Sequence, residues 1–435
     1  MFFFPKRAAS ALLLFTGLTL HSLAGAQSAA AEAASLTLGQ AVERALASNP
    51  ALQGFAYGLQ AQDARIAAAD QRPVTEASFE LENVLGSGEF DGLDSAEATF
   101  ALSRVVELGD KRRLRTAAAV AGRDLLSIEG QAAQLDVLAE VARRFIHVAA
   151  LQEQLELTQN ATELARQTVT DVERRVRAAR SPEAELLRAQ AALATAEIDE
   201  RHAQQQLAVG RRQLAATWGA EEDAFGPVKA DLYRLPADTD FAALVARLDT
   251  NPDFLRFTSE ARLRDAELRL ASSLSRPDLS FSAGVRRLEG PDDQALVFGV
   301  SVPLFAGQRS APARSEAVAL RARVNTDRQT AVVRARSQLF QLHQELQQAV
   351  AETRALQTEV MPRLDEALTQ TRYAYERGRY SYLELVDAQQ AWRAAHYTLI
   401  DAAERGQTLR VEIERLTGEP LDASAKGLSG GSENR

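Results

Sequence analysis

Hydrophobic and polar positions alternate strictly in four short stretches of the chain. Ala77, Phe79 and Leu81 alternate with Ser78, Glu80 and Glu82, and Ala96, Ala98, Phe100 and Leu102 alternate with Glu97, Thr99 and Ser103. The rhythm returns at Leu279, Phe281, Ala283 and Val285, set against Ser280, Ser282 and Arg286, and again at Leu296, Phe298, Val300 and Val302. A period of two puts one class of side chain on each face of a strand. These stretches predict two hairpins, at about residues 74–106 and 278–304. Strands of roughly ten residues with this alternation are what a tilted membrane crossing requires; two hairpins of a soluble sheet are the alternative that the pattern leaves open.

Elsewhere the period lengthens. From Lys111 to Ala179 there is no proline, and Leu135, Leu138, Ala142, Phe145, Ala149, Gln152 and Leu155 fall three and four apart, as in a heptad seam. At 1.5 Å per residue this predicts a rod of ~100 Å. A return helix begins at Ser181-Pro182 and runs toward Trp218, giving long helices over about 111–218. The second half has a matching pair over about 308–416: Gln308 to Arg377, with a kink at Pro362, then Ser381 to Leu416. Small residues, mostly alanine, fill much of these surfaces. That suits helices packed closely on two neighbours, as in a barrel of coiled coils.

The chain is one pattern written twice. ALASNPAL (Ala45 to Leu52) matches RLDTNPDF (Arg247 to Phe254), and Arg72-Pro73 matches Arg276-Pro277. FALSRVVELGDKR (Phe100 to Arg112) matches FGVSVPLFAGQR (Phe298 to Arg309) with a small gap; ELLRAQAAL (Glu185 to Leu193) matches ELVDAQQAW (Glu384 to Trp392); Gly219 matches Gly418. Order and spacing agree throughout, so residues 27–226 read as a first structural repeat, 227–420 as a second and 421–435 as a flexible tail. Asn49-Pro50 and Asn251-Pro252 each read as an N-cap with proline at the first helical position. The helices they start are expected to end at Arg72-Pro73 and Arg276-Pro277, since proline drives the residue before it out of the helical region.

Lys6 and Arg7, the apolar run Ala8 to Leu20 and Ala24-Gly25-Ala26 compose an export signal with cleavage after Ala26. The apolar run is too short for a membrane-spanning helix. Beyond it, 46% hydrophobic and 25% charged residues exclude disorder throughout, and a net charge of −9 argues against nucleic acid as a partner. The absence of cysteine excludes disulfides, thiolate metal sites, cysteine nucleophiles and a lipid on an N-terminal cysteine. An exported chain without cysteine fits a bacterial envelope.

In a bilayer every backbone polar group must be paired, so an open four-stranded sheet cannot span it. The chain must share a barrel with copies of itself; three would give twelve strands, an even number in the range of outer-membrane barrels, though closure alone does not fix three.

At this point the residues resemble the TolC-like outer-membrane efflux family across the whole mature chain. The resemblance is carried by the duplicated layout, by NPAL and NPDF, by VPLF (Val302 to Phe305) and by YSYLELVDAQ (Tyr380 to Gln389). FELENVLGSG (Phe79 to Gly88), continued by AEATFALSRVVELGDKR (Ala96 to Arg112), is similar to the Czc-type channels that serve cobalt, zinc and cadmium efflux pumps. The resemblance implies a fold that is mainly α with a small β part: a trimeric twelve-stranded β-barrel in the outer membrane, continuous with an α-helical barrel through the periplasm. It also implies docking to a periplasmic adaptor and an inner-membrane proton-driven pump of the RND class. Many Czc- and Cus-like relatives carry a lipidated N-terminal cysteine; without one, the barrel in outer-membrane lipid is the attachment.

No catalytic constellation and no cofactor competes with this reading. His147, His202, His343 and His396 lie singly on expected helices without partners at metal-ligand spacing, and no Gly-rich phosphate loop is present. Lys111, Arg112, Arg113 and Arg115 follow the first hairpin and read as a solvated helix start, with proximity to anionic headgroups as the alternative. Glu384 and Asp387, three apart, share a helix face. By resemblance they line the periplasmic constriction; by local pattern, Ser381 and Glu384 also form a capping box. The first copy has Glu185 and Arg188 at the matching places, and Tyr380 stands where some relatives place an arginine that locks the gate. The adaptor is expected at the helix turns, at Arg180, Ser181 and Pro182 and at Gly378, Arg379, Tyr380 and Ser381. The leading expectation is a passive exit duct for divalent heavy-metal cations; the alternatives are the same channel exporting drugs or a secreted polypeptide, and a periplasmic coiled-coil adaptor or scaffold.

Overall fold

The computed structural model describes residues 35–236 and 240–419; the export signal and the tail expected at 421–435 lie outside them. The element order runs the same way twice. Helices α1 (Leu38–Ser48) and α2 (Pro50–Ala69) lead into the hairpin β1 (Thr75–Glu82) and β2 (Glu97–Val106), then α3 (Lys111–Arg177) and α4 (Glu183–Ala216). Helices α5 (Phe241–Arg247) and α6 (Pro252–Ser273) lead into β3 (Leu279–Leu288) and β4 (Asp293–Ser301), then α7 (Ala306–Ala355), α8 (Met361–Glu376) and α9 (Tyr382–Thr417).

The Asn-Pro pairs do start helices, and they do more. Asn49 Oδ1 accepts from the N–H groups of Ala51 and Leu52, while its Nδ2 donates to the carbonyl of Thr217, 2.7 Å away at the end of α4. Asn251 Oδ1 accepts from Asp253 N–H, and its Nδ2 donates to the carbonyls of Arg415 (2.8 Å) and Leu416 (3.1 Å) in α9. One amide thus caps the first turn of one helix and satisfies orphan carbonyls at the last turn of another. Each repeat is clasped end to start. The helices α2 and α6 stop at Ala69 and Ser273, a little before the Arg-Pro pairs. With no donor on proline and the preceding residue driven extended, the last turn tightens into Gln71→Ala68 and Arg276→Ser273 bonds.

The four strands form one antiparallel sheet in the order β1-β2-β3-β4, open at β1 and β4. Register places Phe79, Phe100, Val285 and Leu296 in one row across it, and all four are exposed. The other face carries Glu80, Thr99 and Arg286 in a row. There Arg286 donates to Thr99 Oγ1 (3.0 Å), Glu97 Oε2 (2.8 Å) and Glu82 Oε2 (3.2 Å), so its charge is paired across strands. Away from its ends, where Arg104 and Arg287 stand, one face is apolar and the other carries the charged and polar row, as a barrel wall between lipid and lumen requires.

Below the sheet, α3 runs unbroken, with Val141, Phe145 and Val148 packed on Leu214 of α4 and on Phe225. In the second repeat Leu339 packs on Leu244 and Ile413. The segment between the repeats is strapped to both. Gln152 pairs its amide with Val228, accepting from the N–H (2.8 Å) and donating to the carbonyl (3.1 Å), and buried Gln407 donates to the carbonyls of Leu232 and Arg234. Gln152 therefore occupies the heptad seam for its polar end. The kink expected at Pro362 takes the form of a π-helical turn, Leu356–Val360, between α7 and α8. Proline removes one donor and its ring crowds the preceding turn, and a wider turn relieves both.

The first-repeat junction corrects one expectation. Lys111 is not part of a solvated helix start: it is 6% exposed, with Nζ 2.7 Å from Asp278 Oδ1. Asp278 also accepts from Leu108 N–H at 3.0 Å, and Arg115 is bound to Glu107. Asp110, at φ 60°, turns the chain so that the lysine stem runs beneath the hairpin to an acid of the other repeat.

Candidate channel gate and helix tips

The two long-helix turns are built alike. After α3, Arg180 N–H returns to the Arg175 carbonyl (2.8 Å) and Ala179 N–H to that of Val176 (2.9 Å); after α8, Arg379 N–H returns to Ala374 (2.9 Å) and Gly378 N–H to Tyr375 (2.9 Å). These paired bonds close a helix end through a residue in the left-handed region. That residue is Gly378 (φ 72°) in one turn and Ala179 (φ 52°) in the other, where the Cβ makes the conformation costly. Arg180, Pro182, Gly378, Arg379, Tyr380 and Ser381 are exposed and Ser181 is half-buried.

Beneath the turns a small core joins the repeats: Val172 of α3 and Ala189 of α4 pack with Tyr375, Tyr382 and Leu385. The Arg175 guanidinium lies over the Tyr375 ring, 4.5 Å from its centroid, and donates to the Tyr375 carbonyl. Arg372 donates to Gln167, and Gln389 to Thr168. Sequence reading missed this cross-repeat tie, for which aromatic residues near both sides of the turn were the only signal.

The acidic pair divides. Glu384 Oε2 accepts from Ser381 N–H (2.6 Å) and from its hydroxyl (2.8 Å), and Ser381 Oγ accepts from Glu384 N–H. The capping box is formed, and the Ser381 N–H, then the hydroxyl, hold the Glu384 carboxyl below its ordinary range. Asp387 is exposed, with no ion pair or side-chain hydrogen bond among the described residues. Glu185 is half-buried and Arg188 exposed at the matching places of α4.

Two of the four histidines, His147 and His202, line one open groove with Gln154 and Gln206, while His343 and His396 lie elsewhere. His147 Nδ1 lies 2.7 Å from Glu404 Oε1, His343 packs on Phe241, and His396 on Trp392. His202 lines an open groove with Asp199 and Arg393. Among the described residues no three His, Asp or Glu side chains are grouped to hold a metal ion, and no helix is long and apolar enough to cross a membrane.

An open sheet with an apolar outer face, set on helices far longer than a bilayer is thick, defines a protein of the β-barrel channel class. More particularly, residues 24–220 and 244–419 match the outer membrane efflux protein family, and the chain belongs to it. It is 24% identical to the cobalt-zinc-cadmium resistance protein CzcC of Cupriavidus metallidurans over 383 residues, 88% of this chain and 90% of that protein. Its fold is similar to that of a membrane protein from Pseudomonas aeruginosa, with TM-score 0.73, 19% identity, and coverage of 89% of this chain and 91% of the other. It is also similar to the outer membrane protein VceC of Vibrio cholerae, with TM-score 0.66, 18% identity, and coverage of 88% and 97%. The protein is thus an outer-membrane efflux channel reaching into the periplasm, and not an enzyme.

Proposed function

We propose that three copies of the chain close a twelve-stranded barrel and that the resulting duct passes divalent heavy-metal cations out of the cell. The observation that carries this reading is the open sheet, whose two edge strands need partners in a bilayer. Each repeat, 27–226 and 227–420, supplies one hairpin. Channels of the family are trimeric and work with adaptors and inner-membrane pumps, and this chain is read as serving an adaptor and a pump of the RND class. The likeness to CzcC along most of that protein's length supports the cargo.

On this reading the mechanism is conduction. The adaptor engages the exposed turns at Arg180, Ser181 and Pro182 and at Gly378, Arg379, Tyr380 and Ser381, and the helices around the constriction relax. Asp387, with a free carboxylate, faces the passage; Glu384 stands beside it and holds the helix start through its capping box. Three Asp387 carboxylates around one axis would raise the local concentration of cations.

The test is a deletion strain challenged with cobalt, zinc and cadmium. Restored resistance on re-expression is the expected result; sensitivity to drugs alone, or failure to secrete a polypeptide, would replace the cargo and leave the channel. In planar bilayers, Asp387→Asn should reduce cation selectivity without lowering thermal stability. A stable, water-soluble monomer obtained without detergent would remove the barrel and favour the periplasmic adaptor reading.

A further inference from the structure

The sheet-to-helix junction of the first repeat carries more positive charge than it neutralises. A cleft of about 580 Å³ opens there, lined by Arg72, Arg104, Lys111, Arg112 and Arg113 around the turn from Val105 to Asp110. Most of its charges are already matched. Lys111 is held by Asp278, Arg113 by Asp110 at 3.0 Å, and Glu107 by Arg115, while Arg112 lies 3.8 Å from Asp70. Arg72 and Arg104 remain: both are exposed, and neither has an anionic partner among the described residues.

Their position says what anion would come. Arg104 pairs with Thr75 and Phe281, so it lies on the same sheet face as Phe100 and Leu102, at the end nearest the helices. The apolar face therefore passes directly into unpaired guanidinium. A free anion has no use for that continuity, whereas a molecule with a phosphate at one end and hydrocarbon at the other matches both halves. At the corresponding junction of the second repeat Arg276 matches Arg72, but Val302 stands in place of Arg104, and Leu304 and Phe305 beside it are exposed, so among the described residues the two guanidinium groups come together at the first junction and not at the second.

We propose that this cleft binds the phosphate of an anionic phospholipid of the membrane leaflet facing the periplasm, with the acyl chains lying along the outer face of β1 and β2. Arg72 and Arg104 bind the phosphate, and the Lys111–Asp278 pair fixes the wall behind them.

The test uses full-length protein extracted in mild detergent, stripped of lipid, and offered equal amounts of phosphatidylglycerol and phosphatidylcholine of one acyl length. Native mass spectrometry counts what is retained. Wild-type protein should retain phosphatidylglycerol in excess. The Arg72→Gln, Arg104→Gln double variant should lose that excess by roughly tenfold or more, and the Arg72→Lys, Arg104→Lys variant should keep most of it. Inorganic phosphate at millimolar concentration should displace little of the lipid. Wild-type protein with no preference for phosphatidylglycerol overturns the proposal whatever the variants do. So does an undiminished preference in the Gln variant, or full displacement by phosphate, which would mark a site for free anions.

Discussion

The seam between β2 and β3 and the open edges at β1 and β4 are one junction made twice, and they are finished differently. Inside the chain the seam is charged: Arg286 reaches Glu97 and Thr99, and Asp278 at the foot of β3 holds Lys111 beneath β2. At the edges the positions that match Asp278 and Lys111 are apolar. Val74 follows Pro73 where Asp278 follows Pro277, and Ala306 follows left-handed Phe305 where Lys111 follows left-handed Asp110. Val74 is 73% and Phe305 71% exposed within the chain. A buried charge is costly until its partner arrives. Two residues of one chain always arrive together, while residues of separate copies do not. Ion pairs therefore suit the internal seam, and apolar surface suits the one that, on the proposed trimer, forms between copies.

The largest expected effect breaks the internal seam. Asp278→Ala leaves the Lys111 ammonium buried without its partner and should cost about 3–5 kcal/mol in denaturant unfolding in detergent. Replacing both partners, Lys111→Met with Asp278→Leu, should recover most of the loss. A cost for Asp278→Ala near that of an ordinary surface change would show that the pair does not hold the seam. At the matching edge, Val74→Ala should change the same unfolding curve by less than about 0.5 kcal/mol, its effect falling on the yield of assembled trimer.

The clasps come next. Asn251 is fully buried and serves two carbonyls, while Asn49 is half-buried and serves one. Asn251→Ala should cost about 2–3 kcal/mol and Asn49→Ala about 1–2 kcal/mol; equal costs would mean that only the caps matter. At the turns, Ala179→Gly should gain about 1 kcal/mol and Gly378→Ala lose about 1 kcal/mol, read from the same curves.

Glu384 gives the smallest effect. Its carboxyl is held below the ordinary value of 4.5 by bonds that form only in the folded chain. That contribution is present above about pH 4.5 and is lost as the pH falls through the lowered value. The difference in thermal midpoint between wild type and Glu384→Gln should be constant from pH 7 to 5 and change below 4.5. A constant difference down to pH 3 would show that the capping bonds do not depend on the charge.

The alternation of the strands and the Asn-Pro starts were legible because each is settled within a few residues: a period of two fixes a face, and a missing N–H fixes a first turn. What Asn251 donates to was not legible, since it depends on the end of α9 lying beside the start of α6. Lys111 failed for the same reason. Its partner is 167 residues away, and four basic residues within five positions look solvated until the fold supplies an acid. At the candidate gate, spacing put Glu384 and Asp387 on one face, and the Ser381-x-x-Glu384 pattern gave the capping box that forms, because both readings are settled within one helical turn; what surrounds Asp387 depends on other copies of the chain and was not legible.

The π-helical turn at Leu356–Val360 has an angular consequence. Each residue of an α-helix advances about 100° around the axis, and a π-helical turn takes in one residue more than an α-helical one. The face that α8 presents is thus rotated by more than a quarter of a revolution from the one α7 would have continued, and Tyr375 meets Val172 and Tyr382 in that phase. Deleting one residue from the turn would straighten the helix and swing Tyr375 away from its cluster, with every residue of the tip unchanged. The heading of the tip is encoded higher up the helix, in five residues that lie outside it.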